Sequence, residues 1–182
     1  MENKEVSLEE YLEKLGFDQD GIDNIMTYAN NDIDKKSIHE KIDYLISIGL
    51  SPNAILNIIE EDLTFVTVDL EAIKENVETL QKYLNQEEYM EALELTPELL
   101  TMNNEDLEKN IKLIGILYPN IDTVKIIIQD RGEILTYKPD YLSKKLEFFI
   151  NNGLKDRILN IIIENIEVFD LENDEIDIEE LK

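Results

Sequence analysis

An apolar pattern returns along this chain every 33 to 35 residues. Leu12, Leu45, Leu80, Ile114 and Phe149 stand 33, 35, 34 and 35 residues apart. A second series is Ile22, Ile55, Met90, Val124 and Ile158; a third is Ile25, Ile58, Leu93, Ile127 and Ile161. Three series held in phase across five units require one structural unit used repeatedly. Each unit holds two stretches with apolar residues at helical spacing, so the unit is a helix pair. A lone pair of this length cannot bury its apolar face, whereas stacked pairs share a continuous core. The fold expected is all-α: an α-solenoid of about five helix-pair repeats.

The first pair is expected over residues 7–33. Ser7 and Glu10 have the spacing of a capping box. Leu8, Leu12 and Leu15 share a face of its first helix, which stops near Gly16; Ile22, Ile25 and Met26 line its second. The second pair spans residues 35–66, with Ile38, Ile42 and Leu45 on one face. Gly49 reads as a left-handed cap, and Ser51-Pro52 as an N-cap followed by a first helical proline. The third pair spans residues 69–102, with Leu70, Ile73, Val77 and Leu80, then Tyr89, Met90 and Leu93. The fourth, residues 104–137, carries Leu107, Ile111 and Ile114, then Val124, Ile127 and Ile128. Its β-branched run from Val124 to Ile134 has strand character, but its phase with the other units argues for helix. The fifth, residues 139–169, carries Leu142, Leu146 and Phe149, then Ile158, Ile161 and Ile162, joined through Asn151-Asn152-Gly153. Short apolar blocks follow the second helices and place Phe65, Leu100, Leu135 and Phe169 at spacings of 35, 35 and 34. Each reads as a 3₁₀ turn tucked under the next pair. Residues 1–171 thus form one helical-repeat domain. Residues 172–182 form an acidic tail or a capping helix, for which Leu171, Ile176, Ile178 and Leu181 supply the apolar residues.

The unit resembles that of the mTERF family, the mitochondrial transcription termination factor-like helical repeats. The family's first helix often ends Leu-Gly-Leu-Ser or Leu-Gly-Phe-Ser, and a Pro-x-Leu-Leu turn follows the second. The matching segments are Leu15-Gly16-Phe17-Asp18, Ile48-Gly49-Leu50-Ser51, Asn152-Gly153-Leu154-Lys155 and Pro97-Glu98-Leu99-Leu100. Asp62, Gly132 and Ile166 take the place of the turn proline in the other units. The resemblance spans residues 8–171. It implies a solenoid that binds nucleic acid through a basic concave surface. On that reading Lys109, Lys112, Lys144 and Lys145, on the first helices of the last two pairs, contact phosphates. Lys109 and Lys144 are repeat equivalents; the earlier equivalents are Glu75 and Glu40, so the strip is confined to these pairs. The competing reading is a solvated face whose lysines pair with acids one turn away.

Charge points to a different partner. The chain has 42 acidic and 17 basic residues, a net of −25, and only two arginines, Arg131 and Arg157. Residues 170–182 hold seven acids and one lysine, and without them the net is still −19. Phosphate-binding proteins cluster lysine and arginine, so this balance favours a basic protein partner over direct nucleic-acid contact. The leading expectation is therefore a non-enzymatic binding module for such a partner. Its sharper form is nucleic-acid mimicry, with the acidic solenoid filling the groove of a nucleic-acid-binding protein. The alternative is a transcription- or RNA-related nucleic-acid binder of the mTERF-like type.

No cofactor or metal is expected. Without cysteine there is neither a disulfide framework nor a thiolate site. His39 is the only histidine, flanked by Glu40 and expected on the surface; no catalytic triad can be assembled around it. In the stretch from Asp18 to Asp23 the glycine, Gly21, is fourth and Ala29 is twelfth. A calcium loop needs glycine sixth and glutamate twelfth, so the segment reads as a turn and N-cap. Tyr118-Pro119 reads either as an exposed recognition edge or as a hydrophobic helix end followed by a stop. Met1 to Glu5 lacks the basic and apolar blocks of a leader, and no apolar run approaches the ~20 residues of a membrane span. The compartment expected is the cytoplasm.

A net −25 implies self-repulsion in the compact state. The melting temperature at pH 7 should therefore rise from low to moderate salt. A flat or falling trend in a thermal melt would show that pairing already neutralises the repulsion.

Overall fold

The computed structural model describes residues 6–29 and 32–181, with the backbone alone for residues 32 and 33. Met1 to Glu5, expected to lack a leader, and Lys182 of the acidic tail lie outside the described residues. Among the described residues ten α-helices form five pairs. They are α1 (Leu8–Leu15) with α2 (Gln19–Met26), α3 (Asp32–Ser47) with α4 (Pro52–Glu61), and α5 (Leu70–Gln81) with α6 (Gln86–Leu95). Then come α7 (Asn104–Leu117) with α8 (Ile121–Asp130), and α9 (Pro139–Asn151) with α10 (Ile158–Glu164). No strand occurs among the described residues, and Val124–Ile128 lies within α8. First helices stack on first helices (α3 on α5, α5 on α7, α7 on α9) and second helices on second (α4 on α6, α6 on α8). This nearest-neighbour stacking makes the α-solenoid. The first pair is shorter than expected: α3 already begins at Asp32, so residue 33 belongs to the second pair. An acid at 34 suits the first turn, where backbone N–H groups lack helical partners.

Local chemistry sets the helix ends. Ser7, Asp18, Ser51, Asn103 and Asn120 each accept a backbone N–H from the first turn that follows. The reciprocal capping box is complete at Asn85 and Glu88. At Gly16 and Gly49 the backbone turns left-handed, with φ of 102° and 108°, which a side chain would oppose. The next N–H then reaches back to a core residue: Phe17 to the Leu12 carbonyl and Leu50 to that of Leu45, both at 3.1 Å. Phe17 and Leu50 are thereby buried beside those leucines, the hydrophobic contact that accompanies such caps. This is why an apolar residue follows the glycine in the repeat.

Leu12, Leu45, Leu80, Ile114 and Phe149 are all fully buried. In the second and third series the third unit is shifted by one residue. Tyr89 and Ala92, rather than Met90 and Leu93, are equivalent to Ile55 and Ile58. The caps decide this: Asn85 stands 34 residues after Ser51 and 35 before Asn120. Leu93 is buried all the same, while Met90 is only partly covered.

Four-residue 3₁₀ turns close the last four pairs: Leu63–Val66, Pro97–Leu100, Gly132–Leu135 and Ile166–Phe169. Leu63, not Asp62, is thus the equivalent of Pro97, and Val66, not Phe65, that of Leu100. Asp62 is instead the cap before the turn, and its carboxylate accepts the Thr64 N–H at 3.0 Å. Beyond the last turn the chain makes turns at residues 173–175 and 178–181 instead of a capping helix. Ile176, 34 residues after Leu142, nevertheless enters the core at 8% exposure, and Ile178 and Leu181 pack against it.

The central seam should be the most sensitive part of the core. Leu80→Ala should cost about 2–5 kcal/mol by chemical denaturation, through the cavity it leaves between neighbouring pairs. Leu12→Ala, in a terminal pair, should cost less; equal losses would mean that the ends are as tightly held as the centre.

Candidate nucleic-acid interface

A 3₁₀ turn packed under a helix pair turns backbone carbonyls towards the interior, where they need donors. Side chains from the first helix of the same pair supply them, reaching carbonyls in the turn or within two residues after it. Asn110 Nδ2 donates to the carbonyls of Leu135 (2.8 Å) and Tyr137 (2.6 Å). Asn76 Nδ2 does the same to Leu100 (3.1 Å) and Met102 (2.8 Å). Lys41 Nζ donates to Phe65 (3.3 Å) and Val66 (2.8 Å), and Lys145 Nζ to Leu171. These four positions are spaced 35, 34 and 35 apart, and each lies one turn before the fully buried seam residue of its helix. Burial pushes both ammonium groups below the usual lysine range.

Lys145 therefore does not belong to the surface strip expected from the sequence. It is 4% exposed, and its head group is spent on the backbone. The sequence did contain the signal: a polar residue in phase with the apolar series and embedded among them.

Lys109, Lys112 and Lys144 are exposed, on the neighbouring helices α7 and α9. Lys109 lies 3.8 Å from Glu105 and Lys112 lies 3.4 Å from Glu108. Glu108 also takes Lys82 from α5 at 2.8 Å, and Lys138 reaches Asp106 at 3.2 Å. Hydrogen bonds from Lys82 and then Lys112 hold the Glu108 carboxyl below its ordinary range. Lys144 makes no ion pair among the described residues. Exposed pairs of this kind contribute about 0–1 kcal/mol each, so an incoming phosphate can displace the carboxylates.

The negative charge is unevenly placed. Residues 101–151 hold eight acids and seven bases, a net of −1. Residues 1–100 carry −17 and residues 152–182 carry −7. The lysines of α7 and α9 thus stand in a stretch without a large local excess of acid.

The remaining candidates are structural. His39 is half-buried rather than on the open surface: its ring lies tilted against Tyr11, centroids 3.8 Å apart, joining α3 to α1. Tyr11 donates to Asp43 at 2.7 Å, which also lies 3.8 Å from His39 Nε2. Asp18 caps α2, and Tyr118 packs against the core. Among the described residues no group of acids and histidines could hold a metal ion, and no helix is long and apolar enough to cross a membrane.

Helix pairs stacked into one seam, the last four closed by 3₁₀ turns, define a helical-repeat protein. The mTERF family profile matches residues 4–172, from the first helix through the last turn, and the chain belongs to that family. No curated protein sequence matches it.

The two adjacent lysines of α9 should separate cleanly. Lys145→Ala should destabilise the protein by about 1–3 kcal/mol, because the Leu171 carbonyl loses its donor. Lys144→Ala should leave the thermal midpoint nearly unchanged. Equal effects would contradict the buried role of Lys145.

Proposed function

We propose that this chain is a non-enzymatic nucleic-acid-binding protein whose contact face lies on α7 and α9. Membership of the mTERF family supports a nucleic-acid ligand. The observation that carries the location is the near-neutral stretch 101–151, with Lys109, Lys112 and Lys144 exposed on adjacent helices. The face is small. Affinity for phosphates comes from the cations that displace counterions, so few are released here. Binding should be weak, with shape and base contacts contributing much of the selectivity. The lack of cysteine agrees with a reducing compartment such as the cytoplasm.

A basic protein partner is the second reading, favoured by the −17 carried by residues 1–100. Such a partner would be drawn in by charge and released by salt. It would meet the acidic helix pairs rather than α7 and α9, and mimicry of nucleic acid is its sharpest form.

Fluorescence anisotropy with mixed-sequence single strands and duplexes tests the choice. At about 0.05 M salt binding should be measurable, with a slope of log K against log salt of about −2 to −3 for three contacts. Replacing Lys109, Lys112 and Lys144 together by Glu should abolish it, with Lys145 left in place. No binding by the wild-type protein, or full binding by the triple variant, would overturn the proposal. The first result would promote the basic-partner reading.

A further inference from the structure

The segment after the last 3₁₀ turn is fastened beside α9 by contacts to backbone and core. Lys145 Nζ donates to the Leu171 carbonyl, and Tyr141 OH to that of Phe169 at 2.6 Å. Tyr137 OH donates to Asp170 Oδ1 at 2.6 Å, and Arg157 Nε to the Leu181 carbonyl at 3.3 Å. Ile176 is buried between these anchors. Residues 170–181 carry seven acids and no base. Glu172, Asp174, Glu175 and Asp177 are exposed, and none forms an ion pair among the described residues. The Glu175 and Asp177 side chains accept the N–H groups of Glu172 and Glu179, which shapes the two turns.

We propose that residues 170–181 are an acidic strap that restrains nucleic-acid binding at the α9 end of the face. This rests on the nucleic-acid reading above and assigns its regulation. Apart from Asp170, the strap is held by its backbone and by Ile176, so the carboxylates of Glu172, Asp174, Glu175 and Asp177 are not spent on fastening it to α9. They remain as uncompensated negative charge along the edge of α9 that carries Tyr141 and Lys145, with Lys144 adjoining. Their closeness to that edge is felt by both groups. Burial raises the Tyr141 hydroxyl, and Glu172 and Asp170 raise it further. Glu172, Asp170 and Glu175 oppose the downward pull of burial on Lys145. A phosphate reaching Lys144 enters this field. It binds weakly while the strap is charged, and more tightly when the charge is removed or covered by a cation or a basic partner.

The test compares two variants of the full chain with equal change in net charge. One carries Glu172→Gln, Asp174→Asn, Glu175→Gln and Asp177→Asn, which keep the turn-forming oxygen acceptors. The other carries Glu10→Gln, Glu13→Gln, Asp20→Asn and Glu61→Gln, four exposed acids in the first two pairs. Anisotropy with a labelled mixed-sequence strand at about 0.1 M salt should show at least about fivefold tighter binding for the strap variant than for the remote one. Equal gains in both would overturn the strap while leaving the nucleic-acid reading intact, since net charge alone would account for them. If neither variant nor the wild-type chain binds down to about 0.02 M salt, both proposals fall together. Circular dichroism verifies folding, and a misfolded fourfold variant is replaced by Glu172→Gln alone, which must tighten binding in the same direction.

Discussion

Every pair from the second onward ends in a 3₁₀ turn, and a polar side chain of the pair's first helix donates to backbone carbonyls in that turn or within two residues after it. Lys41, Asn76, Asn110 and Lys145 each span some 25 residues of sequence to do so. The bond ties the end of a pair to its beginning and fixes how far the turn is drawn under the next pair. The alternative is an unpaired buried carbonyl, which is costly, so the contact specifies register as well as adding stability. Asparagine reaches two carbonyls with one amide. Lysine reaches the same place with a longer arm, at the cost of desolvating an ammonium group.

That use of lysine changes how the charge of the chain should be counted. Two of its cations face inward and take no part in the surface field. Several others are neutralised by neighbouring helices, as Lys82 and Lys112 are by Glu108. What remains is a surface more acidic than the raw balance implies, interrupted on α7 and α9. Local charge rather than total charge then governs where an anion can approach, because screening confines such fields to about 10 Å at moderate salt.

The repeating seam and the helix ends were legible in the chain itself, for physical reasons that act locally. Helical periodicity exposes one apolar stripe per helix, and Ser51-Pro52 or Gly49 acts on the backbone within a turn of itself. The same local rules placed the lysines of α7 and α9 on helices in neighbouring pairs. Phase counted from apolar residues alone was less secure in the third unit. There Met90 and Leu93 are as apolar as the Tyr89 and Ala92 that hold the positions, and only the Asn85 cap resolves the difference.

Tertiary structure decided which polar residues face inward and what lies beside the α9 face. Lys144 and Lys145 are adjacent and chemically identical. Their phase on the helix separates them, and the packing of residues 166–171 beside α9 makes Lys145 a backbone donor while Lys144 stays a solvent-exposed cation. The strap was likewise beyond sequence reasoning: its apolar residues allowed a helix, but contacts to Lys145, Tyr137 and Arg157 hold it in turns. Periodicity and capping are properties of a few consecutive residues, so the sequence by itself determined the helix pairs and their stacking. The fate of a polar side chain depends on groups some 25 residues away, which only the folded chain brings within hydrogen-bonding distance.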